Sequence, residues 1–501
     1  MQRPVDRRDF LKLATAVPTA GLLSSAGMAA AHADGEDAAL MATIKVFGDQ
    51  WGRSTRYIGA NRGVTNFNIA DFYDLGINTY RFYGGMGPWE YLDDDGTFGN
   101  PTITDIKADP QVINWAWWDE IFTNPPEGSP FWYATEPGVG WKGNSRKIFG
   151  DLKNAGVKPV VSLRVQNAQI KPDWAAALNP PNTPQGRNEW WEHVFAVVYW
   201  MNVRNDYRID DWEIGNEPNH AGQGWAGIAT EDDYWEFVKL TADAIDYVYQ
   251  RYLPGRSYRK YAPVSAGASV NEAGEKWGWI KDALAKVPQY FDCVDYHDFS
   301  DDPSGRIREV HQVMNSVGEG HRDLWVTEWG PVFKGGDSYL KVSNGILMIN
   351  NLIRMSWPGD GHVYGNHIVN LYDAVNRPYL IGPDGERRVT YYALRMAIRA
   401  LQGGRPTHQS VTSSPDLLAI TTENPSGGFD LLVTNSSTTA SYVVRADLSE
   451  LVGKAQGELR EFSAQRHDEV VGTRRTNRHG HITLQVPRNA ALLLHLDRRP
   501  V

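Results

Sequence analysis

Two glutamates in this sequence stand where an apolar run meets a proline. Glu217 belongs to the run DWEIGNEP, which starts at Asp211, and Glu328 belongs to LWVTEWGP, which starts at Leu324. Proline lacks the N–H that strand pairing needs, so each run predicts a β-strand with a glutamate at its carboxyl-terminal tip. Two carboxyl groups at one site can divide the roles of acid and nucleophile, because different surroundings keep one protonated and the other ionised.

Cleavage of a glycosidic bond is one reaction that needs such a pair. Retention of configuration requires two carboxyl groups about 5–5.5 Å apart across the anomeric carbon. Glu217 and Glu328 are 111 residues apart in the chain, so only the fold can bring them together. Asn216 offers an amide donor of the kind that binds a sugar 2-hydroxyl. Glu213 faces the same side as Glu217 four residues earlier and is interpreted as a buried hydrogen-bonding residue, with a direct catalytic role as the alternative.

The segment between Tyr57 and Leu401 supplies elements that can position both tips. Short β-rich runs alternate with longer helical patterns, which predicts parallel strands joined by helices. The number of runs predicts a (β/α)8 barrel with insertions over residues 48–402. An open doubly wound sheet is the alternative, but no glycine-rich phosphate fingerprint follows the first run. The eight runs begin near Tyr57, Ile77, Lys158, Asp210, Tyr261, Cys293, Asp323 and His367.

The segment after the barrel has a different pattern. Residues 402–406, with the sequence QGGRP, are interpreted as a linker. The runs LLAITT, FDLLVTN, SYVVRAD, GELREF, HITLQV and ALLLHL are short and separated by turn residues, which predicts an antiparallel β-sandwich over residues 407–501. The run Ala42–Phe47 is expected to add an edge strand to this domain.

The N-terminus is interpreted as an export signal. Arg7 and Arg8 precede an apolar run that ends in the small-residue cleavage pattern AHA at Ala31–Ala33. Residues 1–33 therefore resemble a twin-arginine signal peptide, the bacterial route that exports folded proteins, although Asp6 stands where that signal carries Ser or Thr. The expected location is extracellular or periplasmic, free of the membrane after cleavage, and an uncleaved membrane anchor is the alternative.

Together the two glutamate motifs resemble those of a known family. The motif WExxNEP on the fourth predicted strand and TEWG on the seventh are similar to the large clan of retaining (β/α)8-barrel glycoside hydrolases. The resemblance implies that Glu217 is the acid/base and Glu328 the nucleophile. It covers the barrel strands and the domain order from about Tyr57 onward. The C-terminal sandwich is most similar to the β-xylosidase-like and cellulase-like branches.

The resemblance also implies partners for the two glutamates. Arg81, on the second predicted strand, resembles the arginine near the nucleophile of that clan, and a cation there keeps Glu328 ionised. A structural ion pair deeper in the barrel is the alternative for Arg81. His297, on the sixth strand, resembles the histidine of a His-x-Tyr motif that lines the substrate pocket.

This sequence departs from that motif at Phe299, which has no hydroxyl to donate to the nucleophile. Another hydroxyl, from Tyr296 or Tyr372, is expected to replace it. Strand-end position alone makes further residues candidates for the substrate site or its rim, with packing as the alternative for each. These residues are Asn61, Tyr83, Trp89, Trp329 and Tyr372.

An aromatic insertion lies between the second and third predicted strands, from Gly84 to about Arg146. It carries Trp89, Tyr91, Trp115, Trp117, Trp118, Trp132, Tyr133 and Trp141. A loop that follows a barrel strand lies on the catalytic face, so the insertion is expected to wall the substrate cleft. The whole chain holds 19 Trp and 23 Tyr. Stacking on sugar rings is one use for this aromatic excess, and core packing is expected to account for more than half of it.

Composition excludes several other functions. The formal net charge of −10 disfavours a nucleic-acid or anionic-membrane partner. The histidines show no HExxH or paired spacing, so neither a catalytic metal nor a cofactor is expected. The DDDG turn at Asp93 lacks the downstream glutamate of a calcium loop, and no GxSxG motif supports a serine esterase. Cys293, the single cysteine, is interpreted as an inert buried thiol.

The sequence therefore predicts a retaining O-glycoside hydrolase that acts on a polysaccharide or oligosaccharide. A non-catalytic carbohydrate-binding protein on the same barrel is the alternative from another class. A transglycosylase, which uses the same residues with a sugar as acceptor, is a further alternative. The sugar, the linkage, endo or exo action and the oligomeric state stay open at the sequence level.

Overall fold

Eight parallel strands close into a barrel in the computed structural model of this chain. The structure describes residues 39–61, 69–85, 101–123, 145–164, 183–219, 231–264, 274–300, 303–330, 340–356, 368–371, 380–381 and 386–497. The barrel strands are β2 Tyr57–Asn61, β3 Thr79–Gly85, β4 Lys158–Arg164, β5 Asp211–Ile214, β6 Arg259–Val264, β7 Cys293–Asp298, β8 Asp323–Trp329 and β9 Ile368–Leu371. Each strand pairs with the next, and β9 returns to pair with β2. The predicted (β/α)8 barrel is confirmed.

Helices surround the barrel strands. They are α1 Ile69–Leu75, α2 Ile103–Ala108, α3 Trp115–Thr123, α4 Ser145–Ala155, α5 Pro184–Tyr199, α6 Glu231–Tyr252, α7 Gly278–Lys286, α8 Pro303–Ser316, α9 Val342–Ser356 and α10 Val389–Leu401. Local chemistry explains where α5 begins, since Thr183 accepts the Gly186 N–H at 3.0 Å and Pro184 occupies the first turn. Within the described residues, no helix is both long and apolar enough to cross a membrane.

Strand alternation separates an apolar exterior from a polar interior in the barrel. Outward side chains such as Phe82, Trp212 and Val326 belong to one large buried cluster with the helices. The interior begins at the amino-terminal end of the strands with a small apolar layer that includes Cys293 and Trp325. Above that layer the interior is charged, which a barrel tolerates only where buried polar groups bond to one another. Burial raises the pKa of the Cys293 thiol, in keeping with its interpretation as inert.

The C-terminal domain is a nine-stranded sheet that folds over a second apolar core. Its strands are β1 Leu40–Arg53, β10 Pro406–Thr412, β11 Leu417–Glu423, β12 Phe429–Asn435, β13 Tyr442–Asp447, β14 Gln456–Phe462, β15 His467–Arg475, β16 His481–Val486 and β17 Ala490–Asp497. The predicted barrel-plus-sandwich class is confirmed. The six predicted strands are present, and β10 and β15 were missed because their apolar alternation is weak.

The segment expected to be an edge strand lies instead inside the sheet. β1 pairs in antiparallel fashion with β10 and in parallel fashion with β13. It is also longer than predicted, since it runs from Leu40 to Arg53. The correction follows from long-range pairing, because a strand contributed from outside the sandwich sequence can enter between two others without any local signal.

The sandwich packs directly on two barrel helices. Gly345 of α9 faces β14 so closely that a Cβ there would lie 2.5 Å from Phe462 Cζ. Buried Asp468 accepts hydrogen bonds from Arg395 of α10 at 2.7 Å and from Arg399 at 3.3 Å. Apolar contact and ion pairing therefore both fix the sandwich to these two helices of the barrel.

Candidate active site

The structure brings Glu217 and Glu328 together. One carboxylate oxygen of each, with one ring nitrogen of His297, forms a group whose atoms all lie within 4.8 Å of one another. Glu217 is 5% exposed and Glu328 is 3% exposed. The two carboxyl groups are close together and both are buried. Their pKa values can therefore differ only if their other neighbours differ.

Glu217 lies in a turn just beyond β5. The predicted end of the strand at Pro218 is corrected, because β5 ends at Ile214. Gly215 still donates its N–H to Leu163 O of β4 at 2.6 Å, but it takes a φ of +82° and the chain turns. Glu217 itself has a φ of +45°, a left-handed conformation that costs a non-glycine residue on the order of 1 kcal/mol.

Glu328 lies at the end of β8, where the strand carries one extra residue. Tyr296 of β7 is opposite Val326, but the next residue, His297, is opposite Glu328. Thr327 is therefore a β-bulge, and bulges re-aim the side chains that follow them. The bulge turns the Glu328 carboxylate into the barrel interior toward Glu217.

Arg81 connects Glu328, near the barrel mouth, with Glu213, which lies deeper in the barrel. Its Nη1 donates to Glu328 Oε1 at 2.6 Å, and its Nε and Nη2 donate to both carboxylate oxygens of Glu213. Nη2 also donates to Asn216 Oδ1 at 2.8 Å. The structure thus combines the two alternatives for Arg81, a partner of the nucleophile candidate and a deeper ion pair. Glu213 is fully buried and bonded to Arg81, as predicted for a buried hydrogen-bonding residue.

His297 contacts both glutamates. Its Nδ1 lies 2.8 Å from Glu217 Oε1 and 3.6 Å from Glu328 Oε2. Burial lowers the pKa of His297, but the Glu328 and Glu217 carboxylates outweigh burial and raise the pKa to about 9. A protonated ring at neutral pH donates from Nδ1 to Glu217. Its Nε2 is buried without a hydrogen-bond partner in the described part of the chain.

Two further buried carboxyl groups lie under this pair. Burial raises the pKa of Asp295, with a further contribution from the Glu213 charge, to about 8. Burial also raises the pKa of Glu213, although Arg81 opposes the shift. Asp295 accepts the Thr327 hydroxyl at 2.6 Å and the Thr327 N–H at 3.2 Å.

Two groups of three side chains in the site have the spacing of metal ligands. Ligand atoms of Glu213, Asp295 and His297 lie within 4.8 Å of one another, as do those of Glu217, His297 and Glu328. Arg81 contacts a carboxylate of each grouping, and the raised pKa of His297 adds a second positive charge. Both charges oppose a bound cation, so the arrangement fits acid–base chemistry better than metal binding.

Other predicted site residues lie elsewhere. Trp329 and Tyr296 are fully buried in the outer cluster between strands and helices, and the Tyr296 ring lies edge-on to Trp277 at 5.6 Å. The expectation that they line the substrate site is corrected, because they alternate with inward neighbours. Asn61 points inward and donates to Thr327 O at 3.3 Å. Trp89, Tyr372 and the side chain of Tyr83 lie outside the described residues.

Part of the aromatic insertion packs into the core instead of lining a cleft. Phe122 of α3 stacks on Trp200 with ring centroids 4.1 Å apart, and Trp115 stacks on Tyr199 at 5.0 Å. Trp118 is fully buried. The cleft expectation is therefore corrected for these residues, whose helical spacing serves packing against α5. Trp117 of the same helix is partly buried against the outer cluster. Trp89, Tyr91, Trp132, Tyr133 and Trp141 lie outside the described residues.

Two residues of the candidate site were missed at the sequence level. Asp295 shares the inward face of β7 with His297, and simple alternation could have found it. Thr327 could not have been found in this way, because alternation places either Thr327 or Glu328 inward, but not both. Only the bulge brings both side chains to one face.

Solved structures share this architecture. A glucosidase from Croceicoccus marinus matches with a TM-score of 0.63 and 12% identity over 92% of this chain and 100% of its own. An α-L-arabinofuranosidase from Thermotoga maritima, in complex with arabinose, matches with a TM-score of 0.60 and 12% identity over 90% of this chain and 99% of its own. A GH39 enzyme from Xanthomonas axonopodis pv. citri matches with a TM-score of 0.57 and 15% identity over 92% of this chain and 97% of its own.

Sequence comparison found no relative of this chain: no protein-family model matches it, and no curated protein does. The structural likeness at these low identities concerns the fold. At that level the expected resemblance is confirmed, since the chain shares the fold of these solved glycosidase structures.

Proposed function

We propose that this protein is a secreted retaining O-glycoside hydrolase that cleaves a polysaccharide or oligosaccharide by double displacement. The observation that carries the proposal is the approach of Glu217 and Glu328 to within 4.8 Å at the barrel mouth. Retaining enzymes hold their carboxyl groups about 5–5.5 Å apart, whereas inverting enzymes leave about 6.5–9.5 Å for a water molecule. The observed separation favours retention.

In the first step Glu328 attacks the anomeric carbon. The C1–oxygen bond to the leaving group breaks as the Glu328–C1 bond forms, and Glu217 gives its proton to the departing oxygen. Arg81 suits Glu328 to this role, since a cation 2.6 Å from its oxygen stabilises the ionised nucleophile. The product of this step is a glycosyl-enzyme.

In the second step Glu217 acts as a base. It takes a proton from water, the water oxygen bonds to C1, and Glu328 leaves as a carboxylate. His297 supports proton donation in the first step, because its Nδ1 lies 2.8 Å from Glu217 Oε1 and stabilises that oxygen as the proton leaves. The same contact holds the Glu217 carboxylate in place for the second step. Arg81 orients the Asn216 amide through Oδ1, which presents its Nδ2 group as a donor for a sugar hydroxyl.

The fold and the pair of carboxylates support a glycoside as the class of substrate. The similar solved structures are named as a glucosidase and an arabinofuranosidase, among others, so the likeness supports a glycoside without selecting the sugar. Secretion is proposed from the Arg7-Arg8 pair and the AHA pattern at Ala31–Ala33.

A polysaccharide panel with product sizing tests the proposed class. The wild-type protein is expected to release reducing sugar from at least one glycan, and proton NMR of the first product should show the anomeric configuration of the substrate. An inverted first product would rule out double displacement. Binding without release of sugar would instead support the carbohydrate-binding alternative.

Two variants test the assigned roles on the glycan that the panel identifies. Glu328→Gln is expected to abolish turnover, because a neutral amide cannot attack C1. Glu217→Ala with added azide is expected to yield a glycosyl azide of retained configuration, since azide needs no base. Glu236→Gln, an exposed position on α6, serves as the matched control and is expected to keep wild-type activity. Near-normal turnover by Glu328→Gln would remove Glu328 from the mechanism.

A further inference from the structure

The pairing registers of β8 with both neighbouring strands show the bulge at Thr327. Between Val326 and Trp329, β8 advances three residues while β9 advances two, from Val369 to Leu371. On the other side, the same extra residue separates the partners of Tyr296 and His297. Because both registers shift at one place, the bulge belongs to β8.

Without the bulge Glu328 would face the helices. Trp325 lies in the interior apolar layer, and alternation would then put Thr327 inside and Glu328 outside. The structure has both side chains inside, since Thr327 bonds to Asp295 and Glu328 bonds to Arg81. The direction of the Glu328 carboxylate thus depends on the conformation of one residue.

Side chains from two other strands hold Thr327. Asp295 of β7 accepts its hydroxyl at 2.6 Å and its N–H at 3.2 Å, and Asn61 of β2 donates to its carbonyl at 3.3 Å. Asn61, Asp295 and Thr327 are all fully buried. These three bonds satisfy every polar group of Thr327, including the backbone groups that a bulge removes from regular strand pairing.

We propose that Asp295 and Asn61 are positioning residues that clamp the Thr327 bulge and so aim Glu328 at the anomeric carbon. The inference rests on the proposed function, since it concerns Glu328 as the nucleophile. Neither Asp295 nor Asn61 touches the substrate in this account. Both act through Thr327, and the clamp accounts for a buried carboxyl group that the double-displacement steps do not use.

Thr327→Val tests the clamp, because valine keeps the shape of threonine and removes the hydroxyl. Crystal structures of wild type and variant are expected to show that the 2.6 Å contact between Arg81 Nη1 and Glu328 Oε1 is lost or displaced in the variant. On a glycan that the wild type cleaves, kcat is expected to fall about 10- to 100-fold with little change in KM, as for a misplaced reacting group. Thr327→Ser restores the hydroxyl and is expected to regain most of the lost turnover.

Thr79→Val is the matched control. Thr79 is also fully buried, and its hydroxyl donates to Lys158 O at 2.9 Å at the opposite end of the barrel. Its loss should lower the melting temperature without lowering kcat. Asp295→Ala supplies a second route if Thr327→Val does not fold, since it removes both oxygens that accept from Thr327.

The outcomes separate the inference from the proposed function. An unmoved Glu328 carboxylate in Thr327→Val, or in Asp295→Ala if the former does not fold, overturns the clamp whether or not the wild type is active. An active wild type with an equally active Thr327→Val also overturns it and leaves the proposed function standing. The wild type could be inactive on every glycan while the Glu328 carboxylate is displaced in the variant. That result supports the geometry of the clamp and contradicts the proposed function.

Discussion

Arg81 Nη1 lies 2.6 Å from Glu328 Oε1, and the rest of the same guanidinium is bonded to Glu213 and Asn216. One planar cation therefore holds the nucleophile candidate, the carboxylate beneath it and the amide beside the acid/base candidate. The fork geometry of arginine makes this sharing possible, because its five N–H groups point in fixed directions.

Arg81→Lys should expose the need for that geometry. Lysine keeps the positive charge but cannot hold Glu213 through two bonds and Glu328 through a third. We expect the free energy of unfolding to fall by about 3 kcal/mol, the lower end of the cost of breaking a buried ion pair. Activity on the identified glycan should fall as well. Denaturant titration measures the first effect, and Arg445→Lys, an exposed position on β13, is the control.

His297 sets an expected alkaline limit on turnover. Its pKa is raised to about 9, so the ring carries a proton at neutral pH and loses it as the pH rises through that value. Loss of the proton removes the positive charge beside Glu217, and we expect kcat to decline around pH 9. His297→Gln cannot titrate, so its residual activity should lack this decline. A pH profile of the variant that still falls at pH 9 would contradict the assignment.

Asp295 should make the fold less stable as the pH rises. Its pKa is raised from 3.8 to about 8 in the folded protein, so the folded state holds a proton that the unfolded chain releases. This contribution to stability is complete below pH 3.8 and is lost as the pH rises to about 8. His297 acts with the same sign between pH 6.5 and about 9. Melting temperatures between pH 5 and 8 should therefore decline less in Asp295→Asn than in the wild type.

Gly215 is expected to resist substitution. Its φ of +82° is unfavourable for any side chain, and a Cβ there would lie 3.4 Å from Tyr234 Cε2. Gly215→Ala should lower the free energy of unfolding by about 1 kcal/mol or more and disturb the turn that carries Glu217. Gly150→Ala is the control, since a Cβ at that position on α4 meets nothing within 4 Å. Equal stability of both variants would show that the left-handed turn is not required.

Export should depend on the arginine pair. Replacing Arg7 and Arg8 together with lysine keeps the charge of the N-terminus and removes the twin-arginine motif. We expect the doubly substituted protein to accumulate inside a bacterial host, whereas the wild type reaches the periplasm or the medium. Fractionation followed by immunoblotting measures the distribution, and unchanged export would contradict the proposed route.

The order of the eight barrel strands was predictable from the sequence because its causes are local. Apolar alternation marks each strand, and helical spacing marks the segments between strands. The same reasoning placed Glu217 and Glu328 near the ends of β5 and β8, at the carboxyl-terminal mouth where parallel strands converge. It also identified Glu213 as a buried residue, because it shares the facing of Glu217.

Only the tertiary structure showed the features that depend on pairing between strands distant in the sequence. Strand alternation has a period of two, so the sequence could not show that Thr327 and Glu328 face the same side, and the bulge depends on the registers of β7 and β9. The entry of β1 into the middle of the sandwich has the same origin. Side chains such as Arg81 and Asp295 acquire their partners only when strands distant in sequence close into a barrel.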